Sequence, residues 1–338
     1  MNHPDLPLVS ISIPAYNHER YVQETIRSVI EQDYPRIELI VIDDGSKDST
    51  WAKIEALRGE CEKRFERVVM YTRPNKGRVA TALEIGTLLR GDFCGGIASD
   101  DRFLPGAISA LLKPMLEDES IGNVVGVNIL IDADSKRCYW DEKRNCVYDE
   151  RSAKWKTFDE FITSYSKVDM AGDEFGRYET FVRCNHVGNG QLRRRSLTKQ
   201  LEYPYHERAP LEDEWFHLQF SKIAKYKHID IPTFAYRWHG ANTASQGAYM
   251  SKIWNETMSF ELERVRENGE ERFKEAWRKR GSITRDVFGL RLGSHRPHIN
   301  RVMSVDWTQY TFNICGHALP LTPKMKVKHA TRELMHEA

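Results

Sequence analysis

Two pairs of adjacent aspartates are the residues best placed to do chemistry in this sequence. Asp43-Asp44 closes the run Ile40-Val41-Ile42-Asp43-Asp44-Gly45-Ser46, and Asp100-Asp101 closes Gly95-Gly96-Ile97-Ala98-Ser99-Asp100-Asp101. Each pair ends an apolar stretch, so each is expected at the carboxyl end of a buried strand, where open α/β sheets bind ligands. Carboxylates there can hold a ribose, a base edge or a divalent metal ion, which points to a nucleotide-diphosphate substrate. The plain alternative for the second pair is capping of the helix that follows Phe103. A third acidic run, Leu211-Glu212-Asp213-Glu214, reads in isolation as the acid-rich start of a helix.

The elements that must position these residues alternate. Leu8 to Ile13 reads as a strand, broken by Pro14-Ala15-Tyr16-Asn17, and Val22, Ile26, Val29 and Ile30 recur at helical spacing. Ile37 to Ile42 is apolar apart from Glu38, as suits a sheet covered on both faces. Trp51 to Arg64 reads as a helix, Val68 to Thr72 as a strand, Val79 to Leu89 as a helix and Phe93 to Ala98 as a strand. Repeated β-α units imply a parallel, doubly wound α/β sheet. Leu104 to Leu116 reads as a further helix and Val124 to Ile131 as a further strand. Residues 132–185 lack a clear period and are expected to hold functional loops or lid elements. Trp215 to Ala224 reads as a helix, and Ile229 to Arg237 as an edge-like strand because it contains Pro232. Met250 to Arg280 is charged and helical in pattern.

Composition narrows the class. The 338 residues are 40% hydrophobic and 29% charged, typical of a soluble globular protein. No apolar run is long enough to span a bilayer, and Met1 to Leu8 lacks the features of a secretion signal. The six cysteines are scattered without a C-x-x-C pair, so reduced thiols are expected rather than zinc or a disulfide framework. From Arg278 onward there are 11 Lys/Arg against 4 Asp/Glu, a net of +7, in a chain whose net charge is +1, so the remainder carries −6. The basic tail suits an anionic partner or is a solvated basic face. The acidic body argues against nucleic acid.

In order and spacing, six motifs resemble the inverting family 2 glycosyltransferases of GT-A fold. They are Val9 to Asn17, Ile40 to Thr50, Asn75-Lys76-Gly77, Ser99-Asp100-Asp101, Leu211 to Glu214, and Tyr236-Arg237-Trp238-His239. One departure stands out: many relatives carry an aspartate where this chain has Ala98. The resemblance implies a Rossmann-like, mostly parallel central sheet flanked by helices, with a C-terminal helical extension. It implies a nucleotide-sugar donor gripped by Pro14, Ala15, Tyr16, Glu19, Asp43, Arg78, Asp100 and Arg237. A carboxylate accepts but cannot donate, so Asp43 suits an imide N–H and favours a UDP-sugar. Asp101 and His239 would hold Mn²⁺ or Mg²⁺, hard cations that prefer oxygen ligands. Asp213 would be the general base that takes the acceptor hydroxyl's proton.

On this reading residues 1–248 form the transferase domain. Residues 8–131 are the nucleotide-sugar half, 132–248 the acceptor and catalytic half, and 249–338 a basic, mainly helical extension. The expected acceptor is a glycan or lipid-linked oligosaccharide, in polysaccharide or O-antigen assembly. Tyr139, Trp140, Tyr148, Trp155, Phe158 and Tyr165 either stack on sugar rings or pack a core. The protein is expected in the cytoplasm, with peripheral contact to anionic membrane through the basic tail. Two other classes stay open: a sugar nucleotidyltransferase, which would show a Gly-rich, lysine-bearing loop after the first strand, and a catalytically degenerate sugar-nucleotide-binding module.

Overall fold

The computed structural model describes residues 5–268, residues 271, 272 and 276, and three short strands between 304 and 320. The chain divides into two compact units, Met1–Phe288 and Gly289–Ala338. In the first, β1 (Val9–Ala15), α1 (Val22–Ile30), β2 (Ile37–Asp43), α2 (Thr50–Glu55), α3 (Arg58–Arg64), β3 (Arg67–Thr72), α4 (Arg78–Leu88) and β4 (Phe93–Gly96) follow in order. The four strands are parallel and lie side by side as β3-β2-β1-β4. Every residue of β2 is buried, as its apolar run foretells. Glu38 survives there because Ser10 Oγ, Arg67 Nη1 and the N–H groups of Arg90 and Gly91 all donate to it. The helix expected over 51–64 is broken into two at Ala56-Leu57.

The second half of the sheet is mixed. It comprises β5 (Arg102–Phe103), α5 (Ala107–Glu117), β6 (Ile121–Ile131), β7 (Arg137–Trp140), β8 (Cys146–Val147), α6 (Phe158–Ser166), α7 (Tyr178–Arg183), β9 (Leu192–Arg194), α8 (Arg195–Thr198), α9 (Glu212–Phe220), β10 (Lys225–Arg237) and α10 (Gly247–Asn268). The strand order continues β4-β9-β6-β10-β5. β9 is antiparallel to both β4 and β6, while β10 is parallel to β6. β5 pairs only with Phe234 and Ala235 of β10, so the stretch around Pro232 has β6 on one side alone, as the edge-like reading expects, and only the end of the strand is interior. Register shifts on both sides of Pro232 absorb its missing N–H. Residues 132–185 hold the β7–β8 hairpin, α6 and α7 rather than loops alone. α9 begins three residues earlier than expected, which puts Glu212 and Asp213 in its first turn.

In the second unit, β11 (Ser304–Asp306), β12 (Thr311–Ile314) and β13 (His317–Pro320) form a small antiparallel sheet within the segment expected to be mainly helical. Most of the basic tail lies outside the described residues. No described helix is long and apolar enough to cross a membrane.

Candidate active site

Three loops meet at the carboxyl ends of β1, β2 and β4. The loop after β1 is laced to the loop after β2. Asp44 N–H donates to Ala15 O (2.8 Å), Asn17 N–H to Ser46 Oγ (2.9 Å), Lys47 N–H to Asn17 Oδ1 (2.8 Å) and Ser49 N–H to Glu19 Oε2 (2.9 Å). Asn17 takes the left-handed conformation, φ 53°, that this crossing needs. Pro14 and Tyr16 stay exposed, Tyr16 by 44%, while Ala15 is buried. Gly45 also has positive φ (+72°), and a Cβ there would meet Asn75 N at 2.7 Å, so the β2 loop and the Asn75-Lys76-Gly77 turn approach through a glycine.

The first aspartate pair divides its work. Asp43 accepts from Thr72 Oγ1 at 2.6 Å and from Ser46 Oγ and N–H. Asp44 pairs with Arg73 and accepts from Lys76 N–H (2.8 Å) and Gly77 N–H (3.0 Å). Asp44 thus fixes the turn that launches α4 and places Arg78.

The second pair divides differently. Asp100 Oδ2 lies 3.0 Å from His239 Nε2 and 3.9 Å from His18 Nε2, and His18 Nδ1 lies 2.7 Å from Ser99 Oγ. Burial opposes ionisation of Asp100, but the His239 hydrogen bond and the charges of His18 and His239 outweigh it and hold the carboxyl below its usual range. Burial likewise lowers His18, assisted by the neighbouring His239 and opposed by Asp100 and Asp48. Candidate ligand atoms of His18, Asp100 and His239 all lie within 4.8 Å of one another.

Asp101, the expected metal ligand, is outside that cluster. It is fully buried, its Oδ1 accepts from Arg237 N–H at 2.8 Å, and burial together with the charge of Asp100 pushes its carboxyl well up. Of the two aspartates, Asp100 is the one whose carboxylate lies in the His18–His239 cluster. Arg237, expected on a diphosphate, is engaged within the protein. Its side chain is 0% exposed. Nε donates to Asp100 O (2.5 Å), Nη1 to Ser135 Oγ (2.7 Å) and Asp132 O (3.2 Å), and Nη2 to Glu24 Oε2 (2.6 Å). It braces the carboxylate loop and has little left to offer a phosphate.

Across the cleft, α9 starts where Leu211 N–H donates to Thr257 Oγ1 of α10 (3.1 Å). Asp213 is exposed, and its Oδ1 accepts from Glu214 N–H (2.8 Å). Protein nevertheless surrounds the carboxyl closely enough to raise it above the ordinary aspartate range. Burial, then the charge of Asp213, pushes Glu212 up to about 7. Arg78 crosses from the start of α4 to this run. Its Nε is 3.7 Å from Glu212 Oε1, and Nη2 is 3.5 Å from Pro210 O.

The model of Glycosyl transferase family 2 matches residues 10–182, half of the chain and all three loops of the first half-site. The chain belongs to glycosyl transferase family 2. It is 26% identical over 239 residues to the chondroitin synthase of Pasteurella multocida, an alignment that covers 71% of this chain but only 21% of that synthase. The chain thus spans about a fifth of that relative's length. An uncharacterized glycosyltransferase of Haemophilus influenzae is 25% identical over 272 residues, covering 77% of this chain and 76% of that protein. Among solved structures, S. aureus TarS residues 1–349 in complex with UDP-GlcNAc aligns with a TM-score of 0.49 at 16% identity, over 83% of this chain and 81% of that one.

Within this family 2 glycosyltransferase, Pro14, Ala15, Tyr16 and Glu19 lie at and after the end of β1, Asp43 ends β2, Asp100 follows β4 and meets His239 from the end of β10, and Arg78 reaches Glu212. The sequence reading missed His18. Its signal was faint: a lone histidine two residues past Tyr16, without ligand spacing to His239 more than two hundred residues on.

Proposed function

We propose that this glycosyltransferase is a metal-dependent, inverting enzyme that moves a sugar from a nucleotide diphosphate to a glycan hydroxyl in polysaccharide synthesis. The observation that carries the reading is the His18–Asp100–His239 cluster at the carboxyl edge of a family 2 sheet. Two imidazoles and one carboxylate suit a first-row transition ion better than Mg²⁺, which prefers oxygen ligands and water. We therefore propose Mn²⁺. When bound, such an ion supplies positive charge to a departing diphosphate.

The chain's own residues do the rest. Asp213 holds the acceptor hydroxyl and takes its proton as the oxygen attacks the anomeric carbon. The bond from that carbon to the diphosphate oxygen breaks, its electron pair leaves with the diphosphate, and one displacement inverts the centre. Placing the hydroxyl in line matters as much as basicity. Arg78 spans the donor loop and the base-bearing helix. Asp43 faces hydroxyl donors, Ser46 and Thr72, that can yield to the imide N–H of uracil, so the donor is read as a UDP-sugar. The name of the P. multocida relative agrees with a polysaccharide product.

The test is a hydrolysis and transfer screen across sugar nucleotides with Mn²⁺, Mg²⁺ and chelator. Turnover with a UDP-sugar, greater with Mn²⁺ and lost in chelator, is expected. Undiminished turnover in chelator would sink the metal reading, and undiminished transfer by Asp213→Asn the base.

A further inference from the structure

The β7–β8 hairpin carries an arginine that the donor site does not use. Arg144 sits in its turn with φ +63°, a left-handed conformation that non-glycine residues rarely adopt. Asp141 enforces it. The Asp141 carbonyl accepts from Arg144 N–H (3.0 Å), Oδ1 from the N–H groups of Lys143 (2.8 Å) and Asn145 (2.9 Å), and Oδ2 from Asn145 Nδ2 (2.9 Å). The turn lays the guanidinium over Trp238 (5.2 Å) and Phe161 (5.5 Å).

What the guanidinium lacks is a counter-ion. Among the described residues no carboxylate pairs with Arg144, although burial depresses its basicity. Its hairpin neighbour Arg137 is satisfied by the carbonyls of Leu130, Cys138 and Lys156. A half-buried, unpaired guanidinium is costly to hold, and a bidentate oxyanion offsets that cost.

Its surroundings say where such an anion sits. Phe161 packs on Tyr165 (5.3 Å) and Trp155 (5.1 Å), and Trp238 directly precedes His239. Arg144 therefore stands on an aromatic platform, Phe161 and Trp238, that adjoins the His239 end of the carboxylate cluster.

We propose that Arg144 is the anion-recognition residue of the acceptor subsite, and that the acceptor glycan carries an acid group, carboxylate or phosphate, at or next to the sugar that is extended. The proposal rests on the transferase reading above.

The full chain, loaded with UDP and Mn²⁺, is titrated calorimetrically with three trisaccharides. One ends in glucuronic acid, one in its carboxyl-reduced glucose counterpart and one in glucose 6-phosphate. One or both acid-bearing probes are expected to bind about tenfold more tightly than the neutral one, a difference of about 1.4 kcal/mol. Which of them does so separates carboxylate from phosphate. Arg144→Gln removes the preference, and Arg144→Lys, a point charge without the fork, keeps part of it. Equal binding of the three probes, or none, overturns the inference. So does a preference that persists in Arg144→Gln, or a rise in donor KM in its place, which assigns the guanidinium to the diphosphate. The wild-type comparison stands even if the variant misfolds. Sugar-nucleotide hydrolysis by the wild type reports separately on the transferase reading. Hydrolysis without an acid preference sinks this inference alone, and an acid preference without hydrolysis leaves Arg144 an anion site but sinks the transferase reading and, with it, the acceptor assignment.

Discussion

Asp100 and Asp101 are neighbours in sequence with opposite surroundings, and the difference can be measured. Asp100 faces two histidines, and Asp101 turns inward onto Arg237 N–H. Replacing Asp100 with Asn should lower Mn²⁺ affinity by tenfold or more, because a neutral amide cannot stand in for the anionic ligand. Replacing Asp101 with Asn should leave Mn²⁺ affinity within about threefold of wild type. Electron paramagnetic resonance titration of Mn²⁺ reads both, and the reverse order would restore Asp101 as the ligand. The pair itself was legible, since it closes an apolar run. Its division was not, because the deciding contact comes from a residue 136 positions away in sequence. His18 was illegible for the same reason.

Asp213 gives a second prediction at this scale. Asn in its place should lower kcat by about 10²–10⁴-fold with little change in donor KM. The base must be ionised to act, and its surroundings raise its carboxyl. The acid limb of the kcat/KM profile should therefore lie above the ordinary aspartate range. A limb at the ordinary value would mean that Asp213 is freely solvated.

At the scale of elements, β10 does more than the sequence suggested. Read as edge-like because of Pro232, it is open on one side there and covered by β5 only at Phe234 and Ala235, and its last residue pins three separate segments. Arg237 ties Asp100 of the β4 loop, Asp132 and Ser135 of the hairpin entry, and Glu24 of α1. The alternating β-α pattern of the first hundred residues was readable because each strand is a local apolar run. The mixed half was not, because β9 is three residues long and β5 two, too short to carry a period. Arg237→Met should destabilise the protein by about 1–3 kcal/mol, since two carbonyls lose a buried donor, while Glu24 keeps Arg102 and Ser135 as partners. Arg237→Lys keeps the charge but not the fork and should recover only part of this. Chemical denaturation measures both. If Arg237→Met melts like wild type but raises donor KM, the arginine meets the diphosphate after all.

At the scale of the whole molecule, the two halves of the site are joined where Arg78 reaches Glu212, and that joint carries a stability cost with a definite pH signature. Glu212 is held at about 7, against a usual glutamate value of 4.5. Between those values the unfolded chain has lost the proton that the native state keeps. Stability therefore falls as pH rises through this window, and the full penalty is present above pH 7, with an upper bound of about 3 kcal/mol. Below pH 4.5 both states are protonated and the penalty vanishes. Glu212→Gln removes the titrating group while keeping the shape. It should be more stable than wild type at pH 8, by an amount that shrinks on acidification and reaches zero near pH 4. Denaturant midpoints across that range give the curve. Wild type retaining the advantage at pH 8 would mean that Arg78 already compensates Glu212 fully. A gain in stability that comes with a loss of transfer would instead mark Glu212 as a residue kept for function at the expense of the fold.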